Sequence, residues 1–184
     1  DVEAPQRGVV ADDESGQGQW AAVGVAFLLV VALNRCLRER GHYAAKAEPN
    51  LLQWLDLVAL GTVCDVVPLT GLNRALVAQG LKVMARRDNI GLRALADVAS
   101  IDEAPTTYHA GFILGPRVNA GGRVGKASLG ARLLTTHDSD EARDLAMRLD
   151  AWNKERRELE AACLEEAIAQ AEDRGLRDGL VYVS

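Results

Sequence analysis

This sequence contains no apolar run approaching the roughly 18 residues that a membrane-spanning helix needs, and nothing at its start reads as a signal peptide. Its most apolar window, residues 20–33, is too short to cross a bilayer and is expected to form a buried helix. Cysteine is scarce. Cys36, Cys64 and Cys163 lie far apart, form no CxxC pair and are odd in number, which argues for reduced thiols and a cytoplasmic setting. His42, His109 and His137 are equally isolated from one another, with no HxxxH and no adjacent pair. No Ser-His-Asp or Cys-His arrangement stands out either, so no complete catalytic site can be read from the chain. Acidic residues are missing altogether from 104–137, and glycine and proline from 138–173.

The 184 residues are 48% hydrophobic, enough to bury a core, and their number suits one domain or one and part of another. The chain begins at Asp1 rather than Met and stops within the apolar run 180–183, as expected of an internal segment of a longer protein. The formal net charge of -5 hides an uneven distribution. Residues 1–65 carry nine acidic and five basic side chains, 66–137 carry four and nine, and 138–184 carry thirteen and seven. A basic island between acidic flanks would attract a phosphate backbone. An unevenly charged but merely solvated surface would have the same composition.

Residues 1–19 are polar and glycine-rich and read as loop. A helix is expected over 20–40, ending at Gly41. Pro49 and Asn50 open a second, with Leu51, Leu55, Val58 and Leu60 as its apolar set, and a third spans 72–86. A short helix follows Asn89. Another, capped by Thr106 or Thr107, is expected to stop at Gly115-Pro116, ahead of a basic loop and a short helix over 127–134. The uninterrupted stretch 138–173 places Ala142, Leu145, Leu149, Trp152, Leu159 and Cys163 at helical steps, with cap candidates and acidic side chains at its start. At ~1.5 Å per residue such a helix is roughly 54 Å long, more than a packed single domain uses, and it reads as a connector between two bodies. Arg156 falls on its apolar stripe, which calls for a buried partner or an opening onto a groove.

Two nucleotide-binding patterns fail. GQGQWA at 16–21 fits the spacing of a dinucleotide fingerprint, but Asp12-Asp13-Glu14-Ser15 stands where a strand is required. GGRVGKAS at 121–128 lacks the first glycine of a P-loop, where Ala120 stands, and the Ser or Thr after the lysine, where Ala127 stands. Two other stretches carry chemistry. In GPRVNAGGRVGKAS, read as an extended loop, Arg117 and Asn119 point the same way and Arg123 follows a glycine pair. Arginine presents a planar fork to phosphate oxygens and asparagine a neutral donor, so the loop could grip phosphate; equally, its arginines could cap nearby carbonyls. In LVALGTVCDVVPL, Asp65 sits among apolar residues where a helix breaks before Pro68, and such a carboxylate needs a cation or hydrogen-bond donors. Metal coordination and capping of the next element are both open.

These two stretches, with LDAWNKERRELE at 149–160, resemble in order and combination the RecJ family of single-strand-specific 5′→3′ DNA exonucleases, within the DHH phosphoesterase superfamily. DDESGQGQWAAVGVAF is similar to the segment after that family's DHH tripeptide, and GLVYVS to the strand that opens its DHH-associated domain. The resemblance implies an α/β parent fold. This part of it is predominantly α-helical: residues 1–136 are the C-terminal portion of a DHH domain, 137–176 an interdomain connector helix and 177–184 the first strand of the next domain. It implies two divalent cations, manganese or magnesium, with Asp65 as a metal-binding and hence catalytic carboxylate. Arg117, Asn119 and Arg123 would contact the DNA backbone or the attacked phosphate. The partner implied is single-stranded DNA, delivered by a single-strand-binding protein or helicase in DNA repair and recombination. The family's aspartate pair, further aspartate, DHH tripeptide and second-domain glycine motif are absent, so these residues alone are expected to be inactive. The alternatives are a smaller DHH phosphodiesterase acting on oligonucleotides or cyclic dinucleotides, and a non-catalytic nucleic-acid-binding scaffold of the same fold.

Overall fold

The computed structural model describes residues 18–123 and 128–173, the side chains of residues 123 and 173 excepted. The glycine-rich start up to residue 17, the end of the basic stretch at 124–127 and the expected strand at 180–183 lie outside the described residues. All regular elements among the described residues are helical. They are α1 (Ala22–Glu39), a 3-10 turn (Leu51–Trp54), α2 (Leu55–Cys64), α3 (Gly71–Met84), α4 (Ile90–Val98), a π-helical stretch (His109–Leu114), α5 (Gly115–Arg123), α6 (Ser128–Thr135) and α7 (Ser139–Asp173).

Local chemistry fixes several boundaries. After α1, Gly41 takes φ 71°. Its N–H and that of His42 bond back to Arg38 O and Leu37 O, each at 3.0 Å, the doubled closure that a left-handed glycine permits. The side chain of Asn50 accepts from Leu52 N at 3.2 Å and that of Asn89 from Leu92 N at 2.9 Å, so two asparagines start their helices. Asp138 accepts from the N–H groups of Asp140 and Glu141 at 2.8 and 3.1 Å, capping α7 as its sequence predicts.

One core joins α2, α4, α6 and the first half of α7 through Leu60, Leu92, Leu95, Leu133, Leu145 and Leu149. A second, between α2 and α3, is built on Leu55, Val58, Leu76 and Val83, with Val23 and Phe27 of α1 against it. Helices approach closely where glycine replaces a side chain: a Cβ on Gly80 would stand 2.1 Å from Leu55 O. The stripe of α7 is buried only in its first half. Leu145 and Leu149 are enclosed, whereas Leu159 and Cys163 are exposed.

Two expectations are corrected. The window 20–33 is not a buried helix: α1 buries Gly24 and Asn34 but leaves Val25, Leu29, Val31 and Leu33 exposed. Among the described residues, only the face bearing Val23 and Phe27 has a helix to pack on. Gly115-Pro116 does not end a helix either, and the basic stretch is not an extended loop, because Thr107 to Arg123 runs on as continuous helix. Proline normally breaks a helix by lacking the N–H that bonds four residues back. Here the wider π turn precedes it, and the Arg117 guanidinium donates to Ile113 O at 2.7 Å. Gly115 serves close packing rather than termination, since a Cβ there would meet Cys64 Sγ at 2.4 Å.

Candidate nucleic-acid groove

A groove of about 780 Å³ opens between the ends of α1 and α2, the π-helical stretch, α5, α6 and α7. Its floor is apolar, from residues such as Leu57, Leu60, Val118 and Leu134, and its polar lining includes Asp65, Asn119, Thr135 and Arg156. Three facts of the sequence put those groups there. Asp65 is the residue that closes α2, Asn119 lies on the second turn of α5, and Arg156 occurs where the buried stripe of α7 ends.

Asp65 is exposed on the groove wall, so solvent supplies the hydration that a carboxylate walled in by apolar residues would lack. The turn beyond it is strained. Val66, β-branched and 87% exposed, takes φ 56°, a conformation such residues rarely adopt. Farther on, the buried Asn73 side chain holds that turn by donating to Pro68 O at 3.0 Å and to Gln19 O at 2.8 Å. It also accepts from Ala21 N at 3.4 Å, which ties the start of α1 to the same point. Burial first, and the Asp65 carboxylate second, push the neighbouring Cys64 thiol up from its ordinary value, so Cys64 is a poor nucleophile.

The helical form of 115–123 separates residues that an extended loop would have paired. At about 100° per residue, positions two apart face nearly opposite ways. Arg117 is not on the groove wall. Its Nε donates to the buried Asp150 of α7 at 2.9 Å and it caps Ile113 O, while Lys154 reaches the other Asp150 oxygen at 2.7 Å. Asn119 lines the groove. The backbone of Arg123 closes α5 one turn beyond Asn119; its side chain lies outside the described residues. Of the four positions singled out in the sequence, the structure brings Asp65 and Asn119 to one groove and directs Arg117 elsewhere.

Sequence reasoning missed Asp150 and Asn153, both buried polar residues. The signal was present: Ala142, Ala146, Leu149, Asn153 and Arg156 alternate steps of four and three, so the polar pair continues the apolar seam. His109 was also underread. It is buried and its Nδ1 accepts from Thr106 N at 3.0 Å, which makes the ring, rather than a threonine hydroxyl, the cap of the helix that follows. Among the described residues no three His, Cys, Asp or Glu side chains gather where a metal ion could sit. One exposed carboxylate does not hold a divalent cation, so the donors among the described residues do not by themselves fit a metal centre.

No protein-family model matches the chain. It is 51% identical over 152 residues to the single-stranded-DNA-specific exonuclease RecJ of Dickeya dadantii, covering 80% of this chain and 26% of that protein. A crystal structure of RecJ from Thermus thermophilus with Mg2+ superimposes with a TM-score of 0.62 at 37% identity, over 71% of this chain and 21% of that one. A structure of exonuclease RecJ bound to manganese gives 0.66 at 38% identity, over 79% of this chain and 35% of that one. The chain spans about a quarter of the length of the curated relatives it matches. Identity at this level, with a matching fold and the motifs in order, means that over the residues matched this chain belongs to the RecJ family.

Proposed function

We propose that the protein carrying this chain is a metal-dependent 5′→3′ exonuclease of single-stranded DNA, and that these residues form one wall of its active groove. The observation that carries this reading is the meeting of Asp65 and Asn119 on a single groove in a chain of this family. Asp65 contributes one carboxylate toward the manganese or magnesium ions with which related structures are described. Its remaining ligands have to come from other parts of the parent protein, and the isolated chain is accordingly expected to be inactive.

Asn119 and Arg123 are the proposed phosphate contacts, an amide N–H and a guanidinium one helical turn apart on α5. Arg117 acts at one remove, holding α5 against α7 through Asp150. Residues 1–136 then belong to the DHH domain, 137–176 to the connector and 177–184 to the domain beyond it. A single-strand-binding protein or helicase would present the strand. No helix among the described residues is long and apolar enough to cross a membrane, in keeping with a cytoplasmic repair enzyme.

The test compares full-length wild type with Asp65→Ala, following manganese-dependent nucleotide release from 5′-labelled single-stranded DNA. Loss of cleavage by at least about a hundredfold, with strand binding retained, is expected. A variant that cuts like wild type would remove Asp65 from the metal site.

A further inference from the structure

Arg156 is the one cationic side chain that shares the groove wall with Asp65 and Asn119 among the described residues. It sits on α7, the helix whose buried seam changes at this point from apolar to polar. Only 24% of its side chain is exposed. The guanidinium is held from one side by Asn153, which is itself 3% exposed and accepts from Nη2 at 3.3 Å. From the other side it pairs with Glu160 one turn on, a carboxylate that is 58% exposed. With its carboxylate partner open to solvent, this pairing is weak, so Glu160 yields readily to a better acceptor.

An arginine head carries five N–H donors. Two are engaged by Asn153 and Glu160, which leaves three without a protein acceptor among the described residues. A largely buried guanidinium with spare donors, oriented by a buried amide and opening onto a groove, is suited to an anionic oxygen placed bidentately.

We propose that Arg156 is a substrate-binding residue of this groove: it grips a non-bridging phosphate oxygen of the bound strand, and Asn153 positions it. The inference rests on the nuclease reading above and assigns to the connector helix a direct part in holding DNA. Phosphate held simultaneously from α5 and α7 fixes the strand against both helices, whose own contact is secured by Arg117 and Asp150.

The experiment uses the full-length protein and a fluorescein-labelled oligothymidylate in chelator, with anisotropy followed over a range of salt concentrations. Arg156→Ala is expected to weaken binding about tenfold and to reduce the slope of log affinity against log salt by about 0.7, the loss of one phosphate contact on a single strand. Arg156→Lys should keep the slope, because the charge remains, and lose severalfold in affinity with the fork. Asn153→Ala should lower affinity without changing the slope. Wild-type affinity and slope in Arg156→Ala would overturn the proposal. So would weaker binding with an unchanged slope and a lowered melting temperature, which identifies an arginine that pairs with a carboxylate of the parent protein instead. Should Arg156→Ala not fold, a wild-type affinity in Arg156→Lys would count against the fork and overturn bidentate grip. Failure of the nuclease reading is seen separately, as wild-type protein that neither binds nor cuts the strand, or as Asp65→Ala that cuts normally.

Discussion

At the scale of single residues, the best-defined interaction is the cluster of Arg117, Asp150 and Lys154. Both members of the central pair are largely enclosed, with 14% and 7% of their side chains exposed. Removing one partner strands the other in a poor solvent, at a cost of about 3–5 kcal/mol. Asp150→Ala is therefore expected to lower the urea midpoint sharply. Arg117→Ala should do nearly the same, and the double variant should lose much less than the sum of the two. Additive losses would mean that the pair contributes nothing jointly. The same cluster explains why an arginine in a phosphate-like motif has a structural post. Its guanidinium is directed at a buried carboxylate and a helix carbonyl and does not line the groove.

At the scale of elements, α2 and α5 meet at Cys64 and Gly115. In an isolated helix, glycine to alanine would add stability of about 1 kcal/mol. Here the added methyl would lie 2.4 Å from Cys64 Sγ and 2.9 Å from Ala110 O, and overpacking of this kind costs about 1–3 kcal/mol. Gly115→Ala is expected to reduce the melting temperature and strand affinity together, since α5 carries Asn119 and α2 carries Asp65. Cys64→Ala removes the nearer obstruction, so it should restore part of both losses in the double variant. Equal damage with and without Cys64 would place the clash at the Ala110 carbonyl alone. The element-scale surprise, a helix passing through Gly115-Pro116, follows from the same contacts. Packing on α2 and the π turn together outweigh the breaking tendency of a glycine-proline pair.

For the molecule as a whole, pH acts through Asp56. This carboxyl is 2% exposed at the start of α2, and burial sets it above its ordinary 3.8; its backbone hydrogen bonds pull the other way, and the nearby Asp88 adds to the rise. A raised value in the folded state means that the fold binds the proton more tightly than the unfolded chain does. The associated stability is present below 3.8 and is lost as pH rises through the raised value. Asp56→Asn keeps an oxygen for Leu57 N, at 2.7 Å in the native chain, and cannot ionise. Its melting temperature relative to wild type is expected to be higher at about pH 7.5 than at about pH 4.5. An equal difference at both would show that Asp56 carries no such linkage. The uneven charge along the chain acts at this scale too. The basic middle, residues 66–137, includes α5 with Asn119 on the groove wall, while the acidic flank contributes Asp150 and Glu160, which hold Arg117 and Arg156.

The sequence by itself determined most of the helices, their caps at Asn50, Asn89 and Asp138, and the family, because caps and motifs are read over a few neighbouring residues. It also marked Asp65, Asn119 and Arg156 as unusual, the last from its place on an apolar stripe. What only the tertiary structure decided is which of these groups share a groove, that Arg117 instead faces Asp150, and that 115–123 is helix. Those outcomes depend on contacts between residues tens of positions apart, such as Gly115 against Cys64 and Arg117 against Asp150, which no local pattern encodes. The exposed apolar face of α1 belongs to the same class: its hydrophobicity predicts burial, but whether anything lies against it is settled by packing across the fold.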